Sequence, residues 1–433
     1  MKIEDLREED LQGIKILVLD SSERSALAAI RSLGARGAHI IAADFYRYAL
    51  GFFSKYVNER VIYPSPIQNL HEFIRWLERY VMRERIDIIL SFADHTTAAL
   101  SMFKEKIEKY TLVGTPHWDV FVKTFDKMYT LMEAEKAGVP FPKTWVITEL
   151  EELKKIAEKI TYPVVIKPRR KVVWINDRGV FLKVTARNYA RDPSDLVRKY
   201  SLILRENPSL VRKGLFPLIQ TYVSGIGVGF EALISRGKNL LAFFMHRRIH
   251  EYPVTGGAST LRISIYDEKL FSHGLKILRR IGWDGVAMVE FKLSNDKLYL
   301  MEINGRFWGS LPLAISSGVD FPYLYTMYLL GRLRSIPKYF RYKMGVLQKW
   351  SIPGEFLWLF GMLSRSFQRR NYKELFPIIK EFIAYWTASQ DDIIVAEDAK
   401  PLLGALLMSL KYFWEVIKGE RTLSGELTEK AKT

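Results

Sequence analysis

Short apolar runs alternate with amphipathic stretches along the first part of the chain. Ile14–Leu19 is a β-branched and leucine run of the length expected for a buried parallel strand, and Ser21-Ser22 then offers an N-cap to a helix reaching about Leu33. Gly34–Gly37 stops that helix, and His39–Ala43 reads as a second strand ending at Asp44. Leu70–Arg85 has helical spacing, Asp87–Phe92 makes a third parallel strand and Tyr110–Gly114 a further short one. The order predicts a small parallel, Rossmann-like α/β domain over residues 1–115, with right-handed crossovers. Its first turn, DSSERSALAA, lacks the glycines of a dinucleotide phosphate loop, so no dinucleotide is assigned there.

The middle of the chain mixes the two periods differently. Thr124–Gly138 predicts an amphipathic helix closed by Gly138, with Pro140 and Pro142 just beyond. Tyr162–Lys167 is a buried strand with a lysine at its exit, Leu218–Tyr222 is another, and Asp267–Ile281 is a helix. Gly225, Gly227 and Gly229 stand at alternate positions, but GVGFEALIS alternates as a strand and no helix follows, which excludes a dinucleotide motif. Val286–Leu293 and Leu298–Ile303 read as two strands joined by the polar turn Ser294–Lys297. Beyond them come helices at Leu313–Ser317 and from Asp320 to about Leu330, a strand within Tyr339–Trp350, and helices at Glu355–Arg370, Tyr372–Ala388 and Leu402–Lys418.

Composition narrows the class. At 433 residues and 48% hydrophobic, the chain has enough apolar surface for two or three domains. No apolar run approaches the roughly 20 residues of a membrane helix, and Met1–Asp10 is polar and acidic, unlike a signal peptide; a cytoplasmic location is expected. The absence of cysteine excludes disulfides, thiolate metal sites and a Cys nucleophile. A net charge of +17 calls for an anionic partner, which could be a nucleotide, an acidic substrate, nucleic acid or an anionic membrane. No nucleic-acid module is recognisable, so none is expected to bind. The last three helices carry Trp, Phe and Leu with basic residues opposite. Burial against the rest of the protein is the favoured reading, and peripheral contact with an anionic membrane the alternative. Gly419–Thr433 reads as a charged, frayed tail.

The chemistry concentrates in GVAMVEFKLSNDKLYLMEINGRFWGS, residues 285–310. Glu302 and Asn304 are two apart on a strand and share a face. Glu290 joins them only if the hairpin register sets it opposite Glu302. A two-residue loop pairs Glu290 with Met301, whereas a three-residue loop at Asn295–Lys297 puts it across from Glu302. Two facing carboxylates repel, so their place on hydrophobic strands points to a cation, and two carboxylates with an amide oxygen suit magnesium, phosphate oxygens completing its shell. Elsewhere, Lys167 sets an ammonium at a strand exit. Arg247 or Arg248 can neutralise a phosphoryl group, and Gly256-Gly257 with Ser259-Thr260 offer donors to anions. Ser22, Arg24 and Ser25 either cap their helix or meet an anionic substrate at its N-terminus. Asp94-His95-Thr96-Thr97 lies at the carboxyl end of the third strand, where ligands of open α/β sheets gather.

The strand with its glutamate, Glu290, followed by MEINGRFWGS, resembles the ATP-grasp superfamily, and the resemblance extends from about Ile14 to Gly331. It implies an ATP-grasp module over 116–331, with α+β subdomains 116–222 and 223–331, between the N-terminal domain and a helical extension, 332–433. It assigns magnesium, with manganese as a substitute, to Glu290, Glu302 and Asn304. Lys127 and Lys167 are assigned to ATP phosphates, Gln220, Tyr222 and Val223 to the adenine hinge, and Arg248 and Arg306 to the reacting phosphate or substrate. Glu231 contacts ribose or orients a basic residue. The family's glycine-rich flap is replaced here by KVVWINDRGVFLKV, which keeps Gly179 alone. The single-chain form with INGRFWGS is similar to carboxylate–amine ligases, which implies that a small-molecule carboxylate becomes an acyl phosphate and is joined to an amine; a homodimer is expected. Alternatives are a bicarbonate-activating enzyme of the carbamoyl-phosphate synthase or carboxylase type, and a noncatalytic nucleotide-binding protein.

Overall fold

The computed structural model describes residues 11–182, 184–254, 256–333 and 341–420. The α/β class holds throughout. Strands β1 (Lys15–Val18), β2 (His39–Asp44), β3 (Glu59–Ile62), β4 (Ile88–Leu90) and β5 (Leu112–Val113) form a parallel sheet in the order β3-β2-β1-β4-β5. Their apolar runs are buried on both faces, as parallel strands covered by helices require. Strand β3 escaped sequence detection because its ERVI is polar and largely exposed. The carboxyl ends meet at Asp20, Asp44 and Ser91–Asp94. Asp20, in a left-handed conformation, accepts hydrogen bonds from the Phe92 and Ala93 amides at 2.8 and 2.9 Å and from the Thr96 hydroxyl.

A second sheet joins β6 (Thr144–Val146), β7 (Val164–Lys167), β10 (Tyr189–Ala190) and β11 (Leu218–Thr221) in the order β10-β7-β11-β6. Between β7 and β10 stands a separate hairpin of β8 (Val172–Ile175) and β9 (Arg178–Phe181). The third sheet has seven strands. In chain order these are β12 (Ile226–Ser235), β13 (Asn239–Tyr252), β14 (Ala258–Ser264), β15 (Gly285–Ser294), β16 (Lys297–Asn304), β17 (Leu347–Lys349) and β18 (Gln390–Asp391), arranged β16-β15-β12-β13-β14-β17-β18.

The large sheet carries cores on both faces, and side-chain alternation sorts them. Ala287, Val289 and Phe291 of β15 pack with Phe230 and Ala232 of β12 under the helix Glu268–Ile281. Val286 and Met288, with Leu233 of β12, face the core shared with the first domain and with Phe307 and Trp308. Glu290 follows Val286 and Met288 onto that second face, toward the cleft between the sheets.

Two expectations change in detail. The helix drawn over Thr124–Gly138 is two helices, Trp118–Phe125 and Lys127–Lys136, broken at Asp126. Asp126 is extended and fully buried; it caps the second helix through the Met128 amide and takes Arg169 in two hydrogen bonds of 2.8 and 2.9 Å, with Arg170 at 2.9 Å. Within Tyr339–Trp350 only Leu347–Lys349 is a strand, and residues 339 and 340 lie outside the described residues, as do Met1–Asp10 and residues 421–433 of the tail.

The C-terminal helices are Phe356–Gln368, Leu375–Ala388 and Pro401–Ile417. Full burial of their aromatic residues does not occur. Trp358 is buried, but Phe367, Phe376, Ile383, Leu403, Leu406, Leu407, Leu410, Phe413, Trp414 and Ile417 are exposed. Each helix buries one side and leaves a second apolar stripe uncovered. No helix among the described residues is long and apolar enough to cross a membrane.

Candidate active site

The hairpin of β15 and β16 sets the metal candidates. Asn295 and Asp296 both have positive φ, so the turn has two residues rather than three, as an Asn-Asp pair permits. Regular pairing runs from Ser294↔Lys297 to Phe291↔Leu300; a bulge then skips Met301, and Glu290 pairs with Glu302. The expected juxtaposition is present, and its cause is a bulge instead of a longer loop.

Both carboxylates are held by cations of the protein. Arg248 Nη2 lies 2.6 Å from Glu290 Oε2. Glu302 receives Lys171 at 3.0 Å and Lys127 at 3.2 Å, and Lys171 also donates to the Asn304 amide oxygen at 3.1 Å. Burial alone raises a carboxyl pKa, but Lys171 and Lys127 hold Glu302 well below its ordinary range. Among the described residues no group of three His, Asp or Glu side chains could hold a metal alone. The oxygens of Glu290, Glu302 and Asn304 share one cleft face, and such a hard-oxygen set fits magnesium with the rest of its shell left to phosphate oxygens. Three cationic groups now occupy the positions that a metal's charge would take.

Arg248 reaches Glu290 although β12 runs between their strands. Gly227 and Gly229 make this possible: a Cβ at Gly227 would lie 2.7 Å from Arg248 Cδ, and one at Gly229 2.5 Å from His246 Cε1. The alternate glycines clear the cleft face of β12. Arg248 is further held by Glu251 at 3.3 Å and the Gly257 carbonyl at 3.0 Å, whereas Arg247 falls on the other face and is exposed. Glu231 is fully buried and bonded to His246 Nδ1 at 2.5 Å, a contact of the kind the second of its two expected roles, orienting a basic residue, calls for.

On the opposite wall, Lys167 at the end of β7 donates to Gln220 Oε1 at 2.6 Å. Gln220 is itself buried and donates to Thr144, so its side chain orients Lys167 and is not free to meet an adenine amino group. Burial first, then the neighbouring Lys127 charge, brings the Lys167 pKa down to about 8. Tyr222 lines the cavity, and Lys292 donates to the Val223 carbonyl at 3.2 Å and lies over the Tyr222 ring.

Arg306 ties the hairpin to the first domain. It meets Asp94 in a fork of 2.9 and 3.0 Å, and Lys171 adds a contact at 3.5 Å. Burial opposes ionisation of Asp94, but Arg306 and Lys171 outweigh it and hold the carboxyl far below its ordinary range. His95 turns away, between Phe45 and Phe181, and does not line the cavity. The sequence set Asp94 at a ligand-gathering strand end without giving it a partner, and the basic run Arg169-Arg170-Lys171 was the signal for Lys171. The β8–β9 hairpin in the flap position docks on the first domain through Trp174 Nε1 to the Pro66 carbonyl, Gly179 N to Ile67 O and His71 to Asp177, at 2.8, 2.8 and 2.6 Å.

These walls enclose a cavity of about 400 Å³ lined by Lys167, Lys171, Arg248, Glu290, Glu302, Asn304, Arg306, Arg24 and the Gly256–Ser259 turn. It brings Glu290 and Glu302, these five cationic side chains and glycine-bearing backbone together, which suits the handling of transferable phosphate.

Comparison with known proteins agrees with this fold. Residues 233–349 match a family described as ATP-grasp in the biosynthetic pathway with Ter operon. The carbamoyl phosphate synthase large chain of Arthrobacter sp. (strain FB24) is 24% identical over 185 residues, 41% of this chain and 15% of that protein. The chain therefore spans only a small part of that relative's length. Among solved structures, the biotin carboxylase domain of the Hydrogenobacter thermophilus 2-oxoglutarate carboxylase, in complex with MgADP, ADP and bicarbonate, is similar with a TM-score of 0.59, 20% identity and 76% and 72% of the two chains covered. The L-amino acid ligase from Bacillus licheniformis is similar with a TM-score of 0.54, 14% identity and 75% of each chain covered.

Proposed function

Starting from a chain with the ATP-grasp fold, we propose an ATP-dependent carboxylate–amine ligase that activates a substrate carboxylate as an acyl phosphate and joins it to an amine. One observation carries the reading: the paired Glu290 and Glu302 share a single cavity with Lys167, Lys171, Arg248 and Arg306, and Lys127 reaches Glu302 at 3.2 Å. Such a site neutralises charge and positions reactants, and phosphoryl transfer asks for little else from side chains.

In this reading Lys127 and Lys167 bind the nucleotide phosphates, and the backbone of Tyr222 and Val223 meets adenine. Magnesium, held by Glu290, Glu302 and Asn304, supplies the charge that draws the phosphate oxygens together, and manganese can replace it. A carboxylate oxygen of the substrate attacks the γ-phosphorus and the bond to ADP breaks, with Arg248 and Arg306 offsetting the charge on the transferring group. The amine nitrogen then attacks the acyl carbon, loses a proton, and phosphate leaves. The same reading divides the chain at 1–115, 116–222, 223–331 and 332–433.

The similarity to carbamoyl phosphate synthase and to a biotin carboxylase domain favours a second reading, in which the acid is bicarbonate. A noncatalytic nucleotide binder is disfavoured because the three candidate metal ligands are all present. ADP release with Mg-ATP, screened against acids, amino acids, dipeptides, amines and bicarbonate, tests these readings. Release that requires an acid and an amine together is expected. Stimulation by bicarbonate alone selects the second reading, and release with no combination overturns both.

A cytoplasmic location, a homodimer and contact of the exposed helical stripes with an anionic membrane belong to the same proposal. Fractionation, light scattering and sedimentation with anionic vesicles at rising salt check them in turn, and a monomer that ignores vesicles contradicts the last two.

A further inference from the structure

The cleft face of the large sheet is divided by charge. Glu302 and Glu290 stand on β16 and β15, and beyond the glycines of β12 come Arg248 on β13 and its cross-strand partner Arg262 on β14. The acidic half belongs to the metal site. The basic half continues into Arg24, which reaches the cavity from the first domain.

Arg24 and Arg262 converge on one buried carboxylate. Asp392, just beyond β18, binds Arg24 through Oδ2 and Arg262 through Oδ1, so a single negative charge serves two guanidinium groups. Arg24 also lies 4.1 Å over the Trp350 ring, which fixes its plane. On its other side Gly309 leaves room, since a Cβ there would stand 3.2 Å from Arg24 Nη2.

Buried donors without partners gather in the same region. Among the described residues, Arg248 Nε, Trp308 Nε1, and Arg262 Nε and Nη1 are buried and have no hydrogen-bond partner. Trp308 and Arg248 both line the cavity, and Trp308 and Arg262 are fully buried. Unmatched buried donors are costly, and donors alone call for an acceptor carrying negative charge.

We propose that Arg24, with Arg248 and Trp308 beside it, forms a subsite for a second anionic group on the acid substrate, a carboxylate or a phosphate separate from the carboxylate that is activated. The proposal rests on the ligase reading of the cavity and adds a substrate class to it: acids with two anionic groups. Arg24 is the residue that sets this specificity, and Asp392 of the C-terminal extension holds it in place.

The test is calorimetric binding to the full chain loaded with magnesium and a nonhydrolysable ATP analogue. Probes are the dicarboxylates malonate to adipate, 3-phosphonopropionate, and the monoanions butyrate and monomethyl succinate. At least one dianion should bind tenfold or more tightly than the monoanions. Preference for a dicarboxylate or for the phosphonate identifies the second group. Arg24→Gln should abolish the preference without changing analogue affinity, which also reports an intact fold. Arg24→Lys, which keeps charge but not the fork, should retain part of it. Equal binding of dianions and monoanions overturns the proposal, as does a preference that survives Arg24→Gln. A preference lost in Arg24→Gln, with no ADP release for any acid and amine, overturns the ligase reading and leaves the subsite standing.

Discussion

Arg248 and Glu290 lie 2.6 Å apart across a strand that belongs to neither of them. The contact exists because β12 presents hydrogen instead of a side chain at Gly227 and Gly229. Gly229→Ala places a methyl group 2.5 Å from His246 and 2.6 Å from Glu231 Oε1, both packed in place. A loss of about 1–3 kcal/mol is expected from overpacking, read as a lower midpoint in denaturant unfolding. Gly227→Ala meets Arg248 Cδ at 2.7 Å and Glu251 Oε1 at 2.8 Å and should push Arg248 away from Glu290, weakening Mg-ATP turnover. Wild-type turnover in Gly227→Ala would show that the Arg248 position is unimportant.

Glu290→Gln and Glu302→Gln each remove one hard oxygen charge from the metal candidates. Magnesium-dependent nucleotide affinity should fall at least tenfold in both, while affinity measured without magnesium changes little. Fluorescence titration with a labelled ATP analogue, with and without magnesium, separates the two terms. Unaltered magnesium dependence in either variant removes that residue from the metal set.

Four of the five first-domain strands and the common face of Glu302 and Asn304 were legible because buried parallel strands read as apolar runs and because residues two apart on a strand share a parity. The register of Glu290 was reached for the wrong reason. Nothing local in YLME announces a bulge at Met301. The partners of Gln220 and Glu231 were not legible, because residue type says nothing about what packs on a side chain: both are buried, and each bonds a neighbour. Asp94 was placed at a strand end but its role, like that of Lys171, was not legible, because both acquire meaning only when Arg306 and Glu302 arrive from more than 100 residues away.

Lys167 gives a pH signature. Its pKa is lowered to about 8 by burial and by Lys127, so above that value the free protein holds it largely neutral. Phosphate binding favours the charged form, so ATP binding at pH 8 to 9 should take up a proton and weaken as pH rises. Below about pH 7 this uptake should vanish. Calorimetry in buffers of different ionisation enthalpy counts the protons, and Lys167→Arg should abolish the uptake because arginine stays charged. Uptake that persists in Lys167→Arg assigns the proton elsewhere.

Asp94 and Arg306 connect the first domain to the metal hairpin by two hydrogen bonds between partly buried groups. Asp94→Asn keeps the shape and removes the charge, leaving Arg306 and Lys171 without their shared counter-ion. A stability loss of about 1–3 kcal/mol is expected, below the range for fully buried pairs. Because Asp94 is held ionised to far below its ordinary range, its contribution is lost only as pH falls through that lowered value. Stability of the wild type relative to Asp94→Asn should therefore be constant from pH 7 to 5, and a difference that shrinks over that interval contradicts the assignment.

The hairpin of β8 and β9 stands where the resemblance predicts a glycine-rich flap, yet it is fastened to the first domain. Trp174 donates to Pro66, Gly179 N to Ile67, the Leu70 amide to Asp177, and His71 pairs with Asp177. A Cβ at Gly179 would come within 3.2 Å of Ile67, so the one retained glycine serves this docking and not a phosphate. On the proposed reading of this hairpin as the flap, nucleotide entry is expected to open this contact, and weakening the contact should make opening easier. Trp174→Phe removes one buried hydrogen bond and keeps most of the packing. With a net loss of about 1 kcal/mol per bond, amides of residues 172–181 should exchange roughly five times faster in hydrogen–deuterium exchange. The nucleotide association rate should rise by a similar factor, and amides of the first-domain sheet should be unaffected. Faster association with unchanged hairpin exchange, or the reverse, would separate the hairpin from nucleotide entry.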